Sequence, residues 1–517
     1  MRIPFVLSIF FITLWSMRGS EVRAQSTAID SLSHAAYAQS YSWQQLYHFA
    51  VLNKVWLKDE VKNNFNRLDA DAYLAKGNWI DAQGATQLRA LELSTQGKTN
   101  VGGFSVWGKF NYYRAMEDST RLRHQTRMHT DAPVYFGSLK NNYYERNIYS
   151  MEAIVQYCFD RQRLPMTVGV DYRVGNHFSN NDPRGRVADF QFDLSAAVGR
   201  VFPNGDIHVN FLYGYGRERV GVGYKNDKYA NNTADPLYIN YYMNGFGRAK
   251  DQVRDIRYND DFIRYGTDFL FSREVFTDHK VFAKAGWRYE QQFFKFYDSS
   301  PLTYTPLNKY KRNAYDLDVL LKTSASDASP RVYRLHAGVV DGRDYNYEIA
   351  QNNYVYRKET LLLEASDRFK NISIKAALGY ESTASEDGSV AISLAYKSLK
   401  PALEINQQIP LAVKAAIIPR ICLSYNHVLD SEFSLPSVFI PTFTQTIMQH
   451  NHLYYTTSSY RVGAGLDYQL NNVQFGNVVL GVYADYWQPS TKVNGTNYIA
   501  IPGDDRFQAG VRITAFF

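Results

Sequence analysis

The segment Arg506-Phe-Gln-Ala-Gly-Val-Arg-Ile-Thr-Ala-Phe-Phe517 decides the fold. Phe507, Ala509, Val511, Ile513, Ala515 and Phe517 are apolar, and Arg506, Gln508, Gly510, Arg512 and Thr514 alternate with them; only Phe516 breaks the pattern. Successive side chains of a strand point to opposite faces, so this strand presents one face suited to lipid and one suited to water.

The same alternation recurs upstream. Tyr460, Val462, Ala464, Leu466, Tyr468 and Leu470 oppose Arg461, Gly463, Gly465, Asp467, Gln469 and Asn471, and after a short connector Val478, Leu480, Val482, Ala484 and Tyr486 oppose Gly481, Tyr483 and Asp485. Further strands of this kind run through Met166 to Gly175, Asp189 to Val198, Ile207 to Tyr215, Val281 to Glu290, Tyr315 to Lys322, Ile372 to Glu381 and Val390 to Lys397. In the last of these, Ile392, Leu394 and Tyr396 read as the outer face and Lys397 as an inner residue. Runs of about 10 to 15 residues exceed the five or six usual for soluble sandwiches. Short connectors, such as Pro203 to Gly205 and Asn472 to Gly476, alternate with long ones, such as Lys225 to Asp260 and Leu429 to Thr456. That asymmetry and an even strand number suit a transmembrane barrel with both termini on one side. The expectation is an all-β, antiparallel up-and-down barrel of about 16 strands within a range of 14 to 18, the weaker segments Asp69 to Ala75 and Gln87 to Ser94 deciding the upper figure.

At the N-terminus, Arg2 precedes an apolar run from Ile3 to Trp15, and Val22-Arg23-Ala24 precedes Gln25, which together read as a cleaved signal peptide over residues 1–24. Residues 25–68 read as a periplasmic segment or short plug: Leu46, Phe49, Ala50 and Leu52, then Val55, Trp56 and Leu57, have helical spacing. Residues 69–517 read as the barrel. No stretch approaches the roughly 20 apolar residues of a membrane-spanning helix. The mean hydropathy is negative, but a barrel with a polar interior and long loops has the same average. The 41 Tyr residues suit strands and the membrane interface. The formal charge of +7 is dispersed without a basic block, so nucleic acid is not an expected partner. Cys158 and Cys422 lie in apolar strand patterns and read as unpaired.

An amphipathic final strand ending on Phe517, the signal peptide and the strand pattern resemble integral bacterial outer-membrane β-barrels. Ala75 to Gly77, Val106-Trp107-Gly108-Lys109-Phe110 and Asn141 to Met151 look like a poorly characterised family of roughly 500-residue single-chain barrels from Gram-negative bacteria. The resemblance implies a place in the outer membrane with periplasmic termini. Its implied partners are outer-membrane lipid and lipopolysaccharide, the barrel-assembly machinery acting on the strand that ends at Phe517, and a small solute. The N-terminal segment is far too short for the plug domain of a TonB-dependent receptor.

Lumen-lining candidates are Lys109, Asp171, Arg173, Asp189, Asp193, Lys284, Arg288, Arg461, Asp467, Asp485 and Arg512. Fixed charges of both signs select solutes in a wet pore, and they equally tie strands together as cross-strand ion pairs. His427, His450 and His452 are weak metal candidates whose spacing matches no ligand motif. Ser424, His427 and Asp430 lie close in sequence, but alternation places Ser424 and His427 on opposite faces, so no catalytic residues and no cofactor are expected. The leading expectation is a channel or uptake component for a small hydrophilic or amphiphilic solute; the alternative is an assembly barrel with a filled lumen and binding loops.

Overall fold

The computed structural model describes residues 40–61, 64–120, 124, 131–159, 163–230, 235–247, 249–252, 256–276, 278–297, 303–323, 330–412, 414–436, 445–473, 476–493 and 500–517. The segment read as a signal peptide lies outside these residues. The first half of the wall is β1 (Phe65–Gly77), β2 (Gln87–Val101), β3 (Phe104–Thr120), β4 (Asn142–Phe159), β5 (Leu164–Ser179), β6 (Arg184–Phe202), β7 (Gly205–Gly223), β8 (Ile256–Phe276) and β9 (His279–Tyr297). The second half is β10 (Tyr304–Thr323), β11 (Arg331–Asn346), β12 (Tyr354–Phe369), β13 (Ile372–Asp387), β14 (Ile392–Gln407), β15 (Ala415–Ser434), β16 (Ser459–Val473), β17 (Gly476–Pro489) and β18 (Arg506–Phe516).

Each strand pairs antiparallel with its sequence neighbours, and β1 pairs with β18 from Arg67↔Phe516 to Gly77↔Arg506. The main sheet counts 19 strands, one of which, Ile409–Ala412, only extends the end of β14; 18 strands therefore make the wall. This is two more than the favoured 16. The difference lies in β1 and β2: the outer face of β1 is thinned by Ala70 and Ala72 between Leu68 and Leu74, and that of β2 is interrupted by Arg89 beside Leu91 and Leu93. Closure leaves no strand edge in a solvent that cannot hydrogen-bond it.

The outward face is an apolar and aromatic band. Met151, Phe211, Phe269, Ile421, Val482 and Val511 are among its exposed residues. Tight turns join the strands at one end; at Gly476 the backbone is left-handed (φ +105°) and a Cβ would collide with the Phe516 carbonyl, so the β16–β17 turn requires glycine. The opposite end carries the long loops. One expected orientation is reversed: Ile392 and Leu394 are buried facing inward, whereas Lys397 is exposed outside beside Asp430. Near the loop end the lumen is filled by loops, so apolar residues there face inward, and the Tyr396 ring stacks on Tyr455 of the loop helix His450–Thr456.

Candidate functional site

Residues 40–61 lie inside the turn end of the barrel. Helix α1 (Tyr41–Leu52) is followed by a single 3₁₀ turn, Lys54–Trp56, and by α2 (Leu57–Glu60). Leu46, Phe49, Val55 and Trp56 pack on Leu270, Phe282, Leu320 and Val332, which point inward from β8 to β11. On the other side Ala50, Leu57 and Val61 meet Phe65, Trp107 and Ile154. Inward apolar residues facing water would be costly, so the wall is built for this occupant. Leu52, which the helical spacing grouped with the apolar face, is exposed.

Polar contacts fix the segment around the circumference. The Trp56 indole donates to Asp206 at 2.9 Å, the Ser366 hydroxyl donates to Gln45 at 2.6 Å, and Lys54 pairs with Asp171 at 2.7 Å. Gly169 makes room for this lysine, since a Cβ there would stand 2.9 Å from Lys54 Cδ. Lys280 and Lys322 are directly opposed in the β9–β10 register, and Glu60 reaches both at 3.0 Å. Opposed like charges on neighbouring strands repel; Glu60 neutralises them.

Burial alone would push the Glu60 carboxyl up, but Lys280 and Lys322 outweigh it and hold it below the ordinary range. A depressed carboxylate pKa stabilises the docked segment above the ordinary value and loses that effect as pH falls through the docked value. Neighbouring Asp59 is shifted up by burial, so its protonation in acid acts in the opposite sense. Replacing Glu60 by Gln is expected to weaken docking by about 1–3 kcal/mol at neutral pH, with the difference from wild type vanishing in strong acid. Protease cleavage within residues 40–61, followed from neutral to acid pH in both proteins, measures this; a gap that does not change with pH would contradict it.

The loop end is closed by other means. Val134–Ser138, Asn240–Asn244 and Ala249–Gln252 form a small separate sheet. Its Val134, Phe136 and Tyr242 pack on inward residues Val187, Val220, Tyr258, Phe294, Tyr310 and Tyr354. Asn244 donates to Asn346 and Glu348 and accepts from Asn308 at 2.8–3.1 Å. A second cluster joins Tyr241 and Met243 to Ala82, Ile447 and Met448. His124 is fully enclosed beside the first cluster, between Phe136, Tyr258 and Tyr144, and burial, with His177 nearby, depresses its pKa to about 3.

Between these closures a cavity of about 420 Å³ lies against the N-terminal segment. Asn53, Lys54, Glu152, Asp171, Asp193 and Asp268 line it, with Arg173 and Arg288. Glu152, Asp171 and Asp193 are successive opposed positions on β4, β5 and β6. Of the sequence candidates, Asp171, Arg173, Asp193 and Arg288 therefore meet at this cavity. The others are distributed around the wall: Asp189 pairs with Arg173, Lys284 with Asp316 at 2.8 Å, Arg461 with Asp485 at 2.9 Å and Arg512 with Asp467 at 2.9 Å. Asp193 lies 3.1 Å from Arg264, Arg288 lies 2.7 Å from Asp268, and Lys109 stands opposite Glu152. Lys54 and Glu60 escaped the sequence reading because helical spacing marks the apolar residues of the segment and not the distant partners of its charges.

The histidine candidates do not converge. His450 Nε2 is 2.8 Å from the Ile80 carbonyl, His452 stacks on Phe433, and His427 stacks on Tyr425 outside the wall. Among the described residues no cluster of three His, Cys, Asp or Glu side chains is placed to hold a metal. Ser424 faces inward opposite Arg461, away from His427, and Cys158 and Cys422 are both free thiols.

Solved structures similar to this chain include the copper transporter OprC (7% identity, TM-score 0.42, 88% of this chain and 81% of that one) and the siderophore receptor PiuA from Acinetobacter baumannii (10%, 0.43, 88% and 82%). The outer membrane protein opdK from Pseudomonas aeruginosa matches at 10% identity and a TM-score of 0.36, over 88% of this chain and 99% of its own. At these scores the likeness carries no inference about cargo. No curated protein matches the sequence. A family-level match does run from the lumen segment through the whole wall: over residues 54–517 the chain belongs to the "Family of unknown function (DUF6850)".

Proposed function

We propose that this protein is an uptake component of the outer membrane, closed at rest, that admits a small polar solute when its N-terminal segment shifts. The turn end and both termini face the periplasm, and the long loops face outward. The observation that carries this reading is the charged cavity between residues 51–55 and the wall of β4 to β9. Its mixed lining suits a small solute bearing both donors and acceptors. Lys54 is the member of that lining carried by the segment, held to the wall by its ion pair with Asp171 and by the Gln156 side-chain amide, which donates to the Lys54 carbonyl at 2.9 Å. Assembly into the membrane proceeds through recognition of the strand ending at Phe517.

The apolar seat of Trp56 favours a second reading, a scaffold whose lumen is permanently filled. Planar-bilayer recording separates the two. Wild-type protein is expected to be silent apart from brief openings, and a variant lacking residues 41–61 and 240–252 to conduct steadily. A folded variant that remains silent would support the scaffold and overturn uptake through this lumen.

A further inference from the structure

Near the loop end, the outward face of β6 to β11 carries Arg184, paired with Asp182; Arg217 and Lys295, both paired with Asp261; and six further cations, Arg186, Arg219, Arg257, Lys309, Lys311 and Arg343. None of these six has a carboxylate partner among the described residues. Arg186 and Arg257 flank the same residue of β7, Gly221, which has no side chain, and Arg219 stands two residues further along that strand. The three guanidinium groups therefore border a notch floored by glycine. Three strands away, Lys311 and Arg343 are directly opposed, with Lys309 on the same face.

That opposition has an internal control. Inside the barrel, the opposed Lys280 and Lys322 are neutralised by Glu60, whereas outside, Lys311 and Arg343 have no such carboxylate among the described residues. Like charges directly opposed on adjacent strands destabilise the sheet unless an anion joins them. The neighbouring strands β3 and β4 differ, since there Arg114 is paired with Glu145 at 3.3 Å on the outward face.

Position identifies the anion. Further along the same face of β7 come Tyr215, Tyr213 and Phe211, and along β10 Tyr315 and Leu317, all exposed. The cations thus stand immediately beyond the aromatic border of the lipid-facing band, at the depth of lipid head groups. We propose that this arc binds a phosphorylated glycolipid of the outer leaflet, its phosphates held by Arg186, Arg219 and Arg257 in the notch and by Lys311 and Arg343 beside it, with its acyl chains on the tyrosine band. Guanidinium groups suit this role because they grip phosphate oxygens in pairs. The assignment rests on the loops facing outward.

The test compares wild type in mild detergent with Arg186→Ser/Arg219→Ser/Arg257→Ser and Lys311→Ser/Arg343→Ser, each checked for folding by its heat-dependent gel shift. Bound lipid A is measured by native mass spectrometry, with dephosphorylated lipid A and phosphatidylglycerol as competitors. The triple variant is expected to bind lipid A about a hundredfold more weakly, at roughly fivefold per charge, and the double variant more than tenfold, while neither competitor displaces it from wild type. Unchanged binding in both variants, or equal displacement by phosphatidylglycerol, would overturn the assignment. Orientation is read separately, by labelling Lys228→Cys on intact cells in a Cys158→Ser/Cys422→Ser background. Failure to label would refute the outward placement of the loops, while binding in detergent still decides whether the arc recognises the glycolipid.

Discussion

Replacing Trp56 by Ala is expected to release the N-terminal segment while leaving the barrel wall intact. The indole is fully buried, stacked on Phe49 at 5.5 Å and edge-on to Phe282 at 5.1 Å. Truncating a buried Trp costs about 3–5 kcal/mol, which shifts docking by about two to four orders of magnitude. The substitution also removes the donor to Asp206, which still receives the Ser272 hydroxyl at 2.7 Å and has His208 at 3.2 Å. That residual network and the continuous ladder keep the wall folded. Residues 40–61 should become protease-sensitive without loss of the heat-dependent gel shift. Resistance equal to wild type would show that the indole does not anchor the segment.

Removing Arg506 to Phe517 is expected to abolish the folded barrel. This strand bonds β1 on one side, from Arg67↔Phe516 to Gly77↔Arg506, and β17 on the other, from Asn477↔Phe516 to Trp487↔Arg506. Its loss leaves two edges in hydrocarbon, where each unsatisfied backbone group costs several kcal/mol. A milder probe is Val511→Arg, which places a charge on the lipid face of a strand that otherwise pairs normally. At mid-membrane depth the cost is about 2–4 kcal/mol. The denaturation midpoint in lipid vesicles should fall accordingly, whereas Arg512→Gln, which loses its bonds to Asp467 over Gly481 of the intervening strand β17, should cost less. Equal losses would contradict the assigned faces.

The terminal strand was legible because both of its faces have uniform neighbours: lipid outside and charged lumen inside. The same rule misplaced Lys397, because near the loop end the inner neighbour is packed loop and apolar residues point inward. Strand number was blurred where Asp69 and Asp71 sit among alanines, since short side chains make a weak outer face. The charged candidates could be named but not partnered. Arg173 pairs with Asp189 on the next strand rather than with Asp171 on its own, and only register reveals that. The apolar spacing around Trp56 was visible, but its seat is assembled from four distant strands that no local pattern brings together.

Residence of residues 40–61 inside the lumen is the central claim, and cross-linking in native outer membranes tests it most directly. Gln45 and Ser366 lie 321 residues apart in sequence yet share a hydrogen bond. In a background lacking the native cysteines, Gln45→Cys and Ser366→Cys joined by a short thiol-reactive linker should yield mostly cross-linked protein, with position 45 protected from a bulky impermeant label. Absence of the cross-link, together with free labelling of position 45 from the turn end, would contradict a barrel closed at rest by its own N-terminal segment.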